Sequence, residues 1–261
     1  MNFLTKNEKK INEKFIRNGY LISKVENKKS LIFLKKLIEN ITKKIIKSKK
    51  INFDKFHNDL TVNQLNDFRV EVIRLLNNNK TARYHYFNIA RDSLYALAGN
   101  ELMMQKNINL SIQFPNDDSS LLPIHSDVWS GDSPFEINLW IPLVDCYKTK
   151  SMYILEEKDN KTFIKKLKEK NVSSSEEIYK LVKNKVKWLN IKFGEFLIFN
   201  QALPHGNVIN TEKETRWSMN CRFKSLFSPY GDKKIGEFFL PITTRPMTNI
   251  GINFKNPFLE K

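Results

Sequence analysis

The sequence predicts an α+β fold in which a helical N-terminal part supports a β-sandwich or barrel of short strands. Two patterns lead to this prediction. Apolar residues recur at helical spacing through the first hundred residues, and after Lys106 they fall in short apolar and aromatic runs separated by turn residues. The hydrophobic content of 41% and charged content of 28% are those of a globular chain, which excludes disordered and fibrous classes.

Three helices are predicted in the N-terminal part, residues 1–105. The first covers Lys28–Lys47, where the leucines and isoleucines lie on one face. The second begins after Thr61, a suitable N-cap residue, and the third runs from Thr81 to Leu97 and ends near Gly99.

The β-structure is expected in residues 106–228, interrupted by a charged helical insertion at 159–184 that carries the capping signal Ser173–Glu176. Residues 229–261 are predicted to pack over the barrel as an irregular extension of the same domain. The predicted strands are Asn109–Phe114, Phe135–Leu143, Met152–Leu155, Val186–Ile191, Glu195–Phe199, Val208–Ile209 and Arg216–Phe223. We expect the last two to form a hairpin around the turn Asn210–Thr215, with His205 opposite Asn220.

The net charge of +16 is spread along the chain as lysine, which favours a solvated surface over a polyanion site. Anionic small substrates remain an alternative, and nucleic acid is disfavoured because RNA-binding and zinc-finger signatures are absent from the sequence. Two cysteines cannot build a disulfide framework, the start Met1–Lys10 is polar, and no apolar run reaches the ~20 residues of a membrane span. These features predict a cytoplasmic protein without membrane association; the oligomeric state is left open.

The candidate chemistry lies in His125, Asp127 and His205. In an extended segment residues two apart point to the same face, so the imidazole of His125 and the carboxylate of Asp127 converge. His205 follows a later apolar run, and a barrel brings it to the same point. Two histidines and one carboxylate leave three coordination positions open, which is the ligand set of an oxygen-activating Fe(II) site.

Arg216 and Ser218 add a second element to this site. A guanidinium with a hydroxyl beside it is suited to binding a carboxylate through paired hydrogen bonds. Arg216 would hold the distal carboxylate of 2-oxoglutarate while the keto-acid end chelates the iron.

In the sequence, a His-x-Asp pair is followed by a later His and then, after ten further residues, by Arg-x-Ser. This pattern resembles that of Fe(II)/2-oxoglutarate-dependent dioxygenases with the double-stranded β-helix (jelly-roll) fold. From Phe15 to Pro246, the chain resembles the phytanoyl-CoA hydroxylase superfamily. The segments that carry the likeness are FIRNGYLIS (Phe15–Ser23), NLWIPLVD (Asn138–Asp145) and GEFLIFNQALPHGN (Gly194–Asn207). The segments that resemble its StrG-like branch, from carbohydrate biosynthetic clusters, are HSDVWSGDSPFE (His125–Glu136), TKSM (Thr149–Met152) and TRWSMNCRFKSLFSPY (Thr215–Tyr230).

The resemblance implies a jelly-roll barrel flanked by helices, with His125, Asp127 and His205 as iron ligands and Arg216 and Ser218 at the 2-oxoglutarate carboxylate. It also implies that Trp140 lines the 2-oxoglutarate pocket. Because halogenating relatives lack the carboxylate ligand, Asp127 implies hydroxylation. The expected enzyme uses Fe(II), 2-oxoglutarate and O2 to hydroxylate a small polar, sugar-derived substrate, releasing succinate and CO2.

Strand alternation extends the predicted site beyond the metal. If Arg216 faces inward, so do Asn220 and Arg222, and Arg222 becomes a candidate anchor for an anionic substrate; the alternative is a salt bridge to an N-terminal helix. Asn138 shares a face with Trp140. Gln113 either lines the opposite wall or satisfies a strand edge, and Trp129 either lines the pocket or packs in its loop.

Three other functions remain open for this sequence. A cupin-like isomerase would have no need of the carboxylate-binding Arg216. A non-catalytic carbohydrate-binding jelly roll would have little reason to bring three metal ligands together. A protein or nucleic-acid hydroxylase of the same fold is kept open by the basic charge.

Overall fold

The computed structural model describes residues 3–170, 172 and 174–258, with the side chain of Lys170 left out. Its helices are α1 (Lys6–Asn18), α2 (Lys28–Ile46), α3 (Val62–Asn78), α4 (Ala82–Asn88), α5 (Arg91–Ala98), α6 (Glu157–Lys170), α7 (Ser175–Val182) and α8 (Pro246–Ile252). Its strands are β1 (Tyr20–Lys24), β2 (Leu102–Gln105), β3 (Asn109–Gln113), β4 (Glu136–Pro142), β5 (Tyr153–Ile154), β6 (Lys187–Trp188), β7 (Glu195–Asn200), β8 (His205–Gly206), β9 (Arg216–Ser225) and β10 (Phe239–Pro241).

The strands form two antiparallel sheets. The larger has the order β1-β7-β4-β9-β2-β10, and the smaller has the order β6-β5-β8. Strand β9 is the centre of the larger sheet: β4 pairs with one side, while β3 and β2 pair in turn with the two halves of the other side. The larger sheet ends at β1 and β10 and stays open, so the mixed helix and antiparallel-sheet fold is as predicted but the closed barrel is not formed.

The N-terminal helices pack their apolar faces on the larger sheet. A capping box between Thr61 and Gln64 begins α3, and Leu65, Phe68 and Val72 are buried along its inner face. Polar contacts add to this packing, because the hydroxyl of Tyr86 on α4 donates to the carbonyl of Leu139 on β4 at 2.7 Å. The indole of Trp217 on β9 donates to Phe53 O at 3.0 Å.

The predicted third helix is wrong as a single element, since α4 and α5 are separated at Ile89–Ala90. The cause is Glu26, which lies far away in sequence. Its backbone N–H donates to Ile89 O at 2.9 Å, and its carboxylate accepts from the amides of Asp92 and Ser93 at the start of α5. A tertiary contact therefore ends one helix and caps the next.

The predicted hairpin between 208–209 and β9 is also wrong. His205 and Gly206 form β8, which pairs with β5 in the smaller sheet, whereas Asn220 pairs with Asn109 and Trp140. Val208 does not extend this strand, and its carbonyl accepts instead from the Gln113 side chain at 2.7 Å.

Regions predicted as helical or irregular also contribute strands. β1 and β2 lie within residues 1–105 and join the larger sheet, and β10 adds an edge strand from the C-terminal extension. The insertion forms α6 and α7, and Ser174 rather than Ser173 caps α7; Ser173 lies outside the described residues. None of the described helices is long and apolar enough to cross a membrane.

Candidate active site

The backbones of His125 and His205 lie side by side. The two residues form an antiparallel bridge, with N–H···O distances of 3.0 and 2.8 Å, and their rings lie 4.3 Å apart. In each residue Nδ1 lies 2.9 Å from a backbone carbonyl two residues earlier, that of Pro123 or Leu203. Because a carbonyl only accepts, each Nδ1 carries the proton, and each Nε2 keeps a free lone pair.

Asp127 completes a three-ligand group at the start of a 3₁₀ turn (Asp127–Ser130). Its Oδ1 lies 3.8 Å from Nε2 of His125, and its Oδ2 lies 3.8 Å from Nε2 of His205. The three ligand atoms all lie within 4.8 Å of one another, so they can hold one metal ion. Two neutral imidazoles and one carboxylate fit a divalent transition metal. Each imidazole is oriented for this by the hydrogen bond that its Nδ1 makes with a backbone carbonyl.

Burial keeps His205 in the form that binds metal. Its ring lies edge-on to Phe199 at 4.8 Å, and burial lowers its pKa to about 4 despite the nearby charge of Asp127. A neutral imidazole at physiological pH needs no deprotonation before it coordinates a metal. Ser126, between the two ligands, turns away and donates to Gln201 O at 2.9 Å.

Arg216 lies in the same cavity as a buried cation. Its guanidinium donates to Ser111 Oγ at 2.9 Å and to Ser151 O at 3.4 Å, and no salt bridge pairs it with a carboxylate of the described residues. Its Nε lacks a partner, and burial lowers the pKa of Arg216 to about 10. A buried guanidinium without a counter-ion is costly, so this environment fits a carboxylate ligand.

The cavity has a volume of about 360 Å³ and is shared by residues of both sheets. Trp140, Asn138 and Asn220 line it together with the three-ligand group and Arg216. The amide Oδ1 atoms of Asn138 and Asn220 are buried without a hydrogen-bond partner. A polar ligand would satisfy them, since buried polar atoms in proteins are rarely left unpaired.

Three predicted site residues lie outside the cavity lining. Gln113 is fully buried, and its amide nitrogen donates to Val208 O, whereas its Oε1 has no hydrogen-bond partner among the described residues. Trp129 is 44% exposed, and its ring lies 6.4 Å from that of Phe163 on α6. Ser218 is buried, and its Oγ has no hydrogen-bond partner among the residues that the structure describes.

Arg222 lines the cavity but is already paired. It contacts Oδ1 of Asp127 at 2.9 Å and Oδ2 of Asp132 at 3.0 Å, so its ion pairs are with the site itself and not with an N-terminal helix. Asp132 also pairs with Lys233. When the side-chain amide of Gln201 is oriented with its nitrogen toward Asp127, that nitrogen donates to Oδ2 of Asp127, and the amide oxygen accepts from Nε of Arg222 at 3.1 Å. Sequence reasoning missed Asp132, Gln201, Lys233 and Ser111, because no motif spacing relates them to the ligands.

The sequence matches no family model, and no curated protein matches it. Solved structures do match. The non-heme alpha ketoglutarate dependent carbocyclase SnoK from nogalamycin biosynthesis has a TM-score of 0.56 at 13% identity, covering 92% of this chain and 97% of that one.

Two further solved structures share the architecture. EctD from S. alaskensis with 2-oxoglutarate and 5-hydroxyectoine has a TM-score of 0.56 at 14% identity, covering 87% of this chain and 78% of its own. HygX from Streptomyces hygroscopicus with nickel and 2-oxoglutarate bound has a TM-score of 0.51 at 12% identity, covering 89% and 90%. The chain therefore has the fold of these non-heme enzymes.

Proposed function

We propose that this chain is an Fe(II)- and 2-oxoglutarate-dependent oxygenase that hydroxylates a small polar substrate. The observation that carries this proposal is the position of Arg216, a buried guanidinium without a carboxylate partner, in one cavity with the three-ligand group. A metal site alone would suit many reactions. The added buried cation supports a carboxylate-bearing cosubstrate beside the metal.

The proposed roles follow from the contacts. His125, Asp127 and His205 hold Fe(II) through Nε2, a carboxylate oxygen and Nε2. Arg216 binds the distal carboxylate of 2-oxoglutarate, with Ser218 two residues further along β9 and Ser111 on the neighbouring strand β3. Trp140 and Phe199 both line the cavity, and their apolar rings would limit the access of water to the metal.

Iron with 2-oxoglutarate supplies dioxygen activation coupled to oxidative decarboxylation, with succinate and CO2 as coproducts. The residues of the chain position the metal ligands and the substrate. Pro123 O and Leu203 O fix the two imidazoles, and the cavity shape decides which substrate atom lies near the metal. Asp127 favours hydroxylation over halogenation, as the family resemblance implies, because halogenating relatives lack this carboxylate.

The substrate is proposed to be small, polar and sugar-derived, as the resemblance to the StrG-like branch implies. The unpartnered amide oxygens of Asn138 and Asn220 support this class, because hydroxyl groups would donate to them. Among the solved neighbours, SnoK comes from nogalamycin biosynthesis, and EctD was solved with 5-hydroxyectoine, so both are associated with small molecules.

The test is succinate release by the protein reconstituted with Fe(II), 2-oxoglutarate and O2. The screen includes neutral sugars, aminocyclitols, sugar phosphates and nucleotide sugars. We expect one class to raise succinate above the substrate-free rate, and Asp127→Ala to abolish release. Asp118→Ala removes an exposed carboxylate near the site loop and serves as the control. Absence of 2-oxoglutarate turnover in the wild type, with every substrate class and without substrate, would contradict the proposal.

A further inference from the structure

Arg222 connects three groups at the metal centre. One guanidinium nitrogen lies 2.9 Å from Oδ1 of Asp127 and 3.0 Å from Oδ2 of Asp132. With the Gln201 amide oriented as above, Nε of Arg222 donates to its oxygen at 3.1 Å, and the Gln201 nitrogen donates to the other oxygen of Asp127. Both oxygens of Asp127 thereby accept from side chains that are not among the three metal-ligand candidates.

These contacts leave little of Arg222 for an anionic substrate. Its charge faces two carboxylates, of which Asp132 has a side chain only 1% exposed. To bind a phosphate, Arg222 would have to give up a partly buried ion pair and leave a buried carboxylate with fewer partners, which is unfavourable.

We propose that Arg222 is a positioning residue that fixes the carboxylate of Asp127 for metal binding. This inference rests on the proposed function, because it takes Asp127 as a metal ligand. Each carboxylate oxygen has two lone pairs, so an oxygen that accepts from Arg222 or Gln201 keeps one for the metal. An oriented carboxylate loses less freedom when the metal binds.

The C-terminal segment 229–234 completes this arrangement. Lys233 pairs with Oδ1 of Asp132, whereas Arg222 contacts Oδ2, and the backbone of Asp232 donates to Gly131 O at 3.1 Å. The hydroxyl of Ser133 donates to Pro229 O at 2.7 Å. These contacts hold Asp132 in place, and through it Arg222, so the segment supports the metal centre from outside the sheet.

The test must separate orientation from charge. Removing Arg222 alone deletes a positive charge near a cation site, which by itself would strengthen metal binding. The double variant Arg222→Gln/Asp132→Asn removes one charge of each sign and leaves the net charge unchanged. The matched control is Arg74→Gln/Glu71→Gln, which removes an ion pair of 2.6 Å from the exposed face of α3.

The measurement is anaerobic titration with Co(II), followed by calorimetry and by the visible spectrum of the bound ion. We expect the double variant to raise the Co(II) Kd by about tenfold or more, as for other residues that orient metal ligands, and to change the visible spectrum. The control should match the wild type in both. A double-variant Kd within about twofold of the wild type, with an unchanged spectrum, overturns the inference.

A second variant keeps the inference testable if the double variant fails to fold. Arg222→Lys keeps the charge, but one ammonium cannot replace the planar fork that contacts Asp127, Asp132 and Gln201 together. We expect it to raise the Co(II) Kd and to change the visible spectrum; wild-type values in both would overturn the inference. Failure of the wild type itself to bind Co(II) would instead contradict the proposed function.

Discussion

Arg216 shows how a single residue can indicate a ligand. The residue is 4% exposed, and within the described part of the chain its guanidinium has only a serine hydroxyl and a carbonyl as partners. Taking a charge out of water is costly unless an opposite charge compensates it. The protein without ligand therefore carries an uncompensated cost at this position, and a bound carboxylate would relieve it.

Replacing Arg216 should have opposite effects on stability and on binding. Because Arg216→Met removes the uncompensated charge, we expect the free energy of unfolding of the ligand-free protein to rise. A rise of about 1 kcal/mol would increase its Tm by roughly 2–4 °C. Removing one partner of a buried ion pair costs about 3–5 kcal/mol. The same substitution should therefore weaken 2-oxoglutarate binding by roughly 100-fold or more. Thermal melting and titration of the Co(II)-loaded protein measure the two effects. Unchanged 2-oxoglutarate affinity would show that Arg216 does not bind it.

The sequence was most informative about residues whose roles follow from motif spacing. Motif spacing identifies His125, Asp127, His205 and Arg216, and all four line one cavity. Asp132, Gln201 and Lys233 escaped notice because their contacts with this group cross between elements far apart in sequence. Arg222 was predicted to face the cavity, but its partners could not be identified from alternation alone.

Local signals predict an element well when its own residues determine its ends. The N-cap Thr61 correctly predicted the start of α3, and Gly99, with a positive φ of 88°, correctly predicted the end of α5. The break between α4 and α5 could not be predicted, because Glu26 imposes it from outside the helices. The failed hairpin has a similar cause, since β8 pairs with β5 rather than with the strand that follows it.

Glu26 should therefore contribute to the stability of α5. Its carboxylate accepts from the amides of Asp92 and Ser93 at 2.7 and 3.0 Å, as an N-cap side chain would. We expect Glu26→Ala to lower the free energy of unfolding by about 1 kcal/mol, and Glu26→Gln, which keeps an acceptor oxygen, to lower it less. Urea denaturation measures the change. Glu13→Ala, which removes an exposed carboxylate on α1, is the control, and an equal loss in both would contradict the capping role.

At the scale of the whole molecule, Lys150 ties the helical part to the sheets. Its fully buried Nζ lies 2.7 Å from Oδ1 of Asp54 and 2.7 Å from Oε2 of Glu214. Asp54 also accepts through its backbone from Thr215 N at 2.8 Å, next to Arg216. The position of β9, and with it Arg216, thus depends on a contact between segments from both parts of the chain.

This contact predicts a pH dependence. The hydrogen bond from Lys150 lowers the pKa of Glu214, so the folded state binds that proton less readily than the unfolded chain. The stabilisation is present above the unfolded pKa, about 4.3, and is lost as pH falls below it toward the lowered value. We expect the Tm of the wild type to fall more steeply over this range than that of Lys150→Met. Parallel Tm curves for the two proteins would contradict this role.

The central claim, that His125, Asp127 and His205 hold Fe(II) beside 2-oxoglutarate, is tested most directly by anaerobic visible absorption. Iron(II) chelated by a 2-oxo acid gives a weak charge-transfer band that neither component shows alone. We expect the band in the wild type and in Asp118→Ala, and we expect Asp127→Ala and His205→Ala to lose it. Absence of the band in the wild type, or its full retention in either ligand variant, would contradict the account.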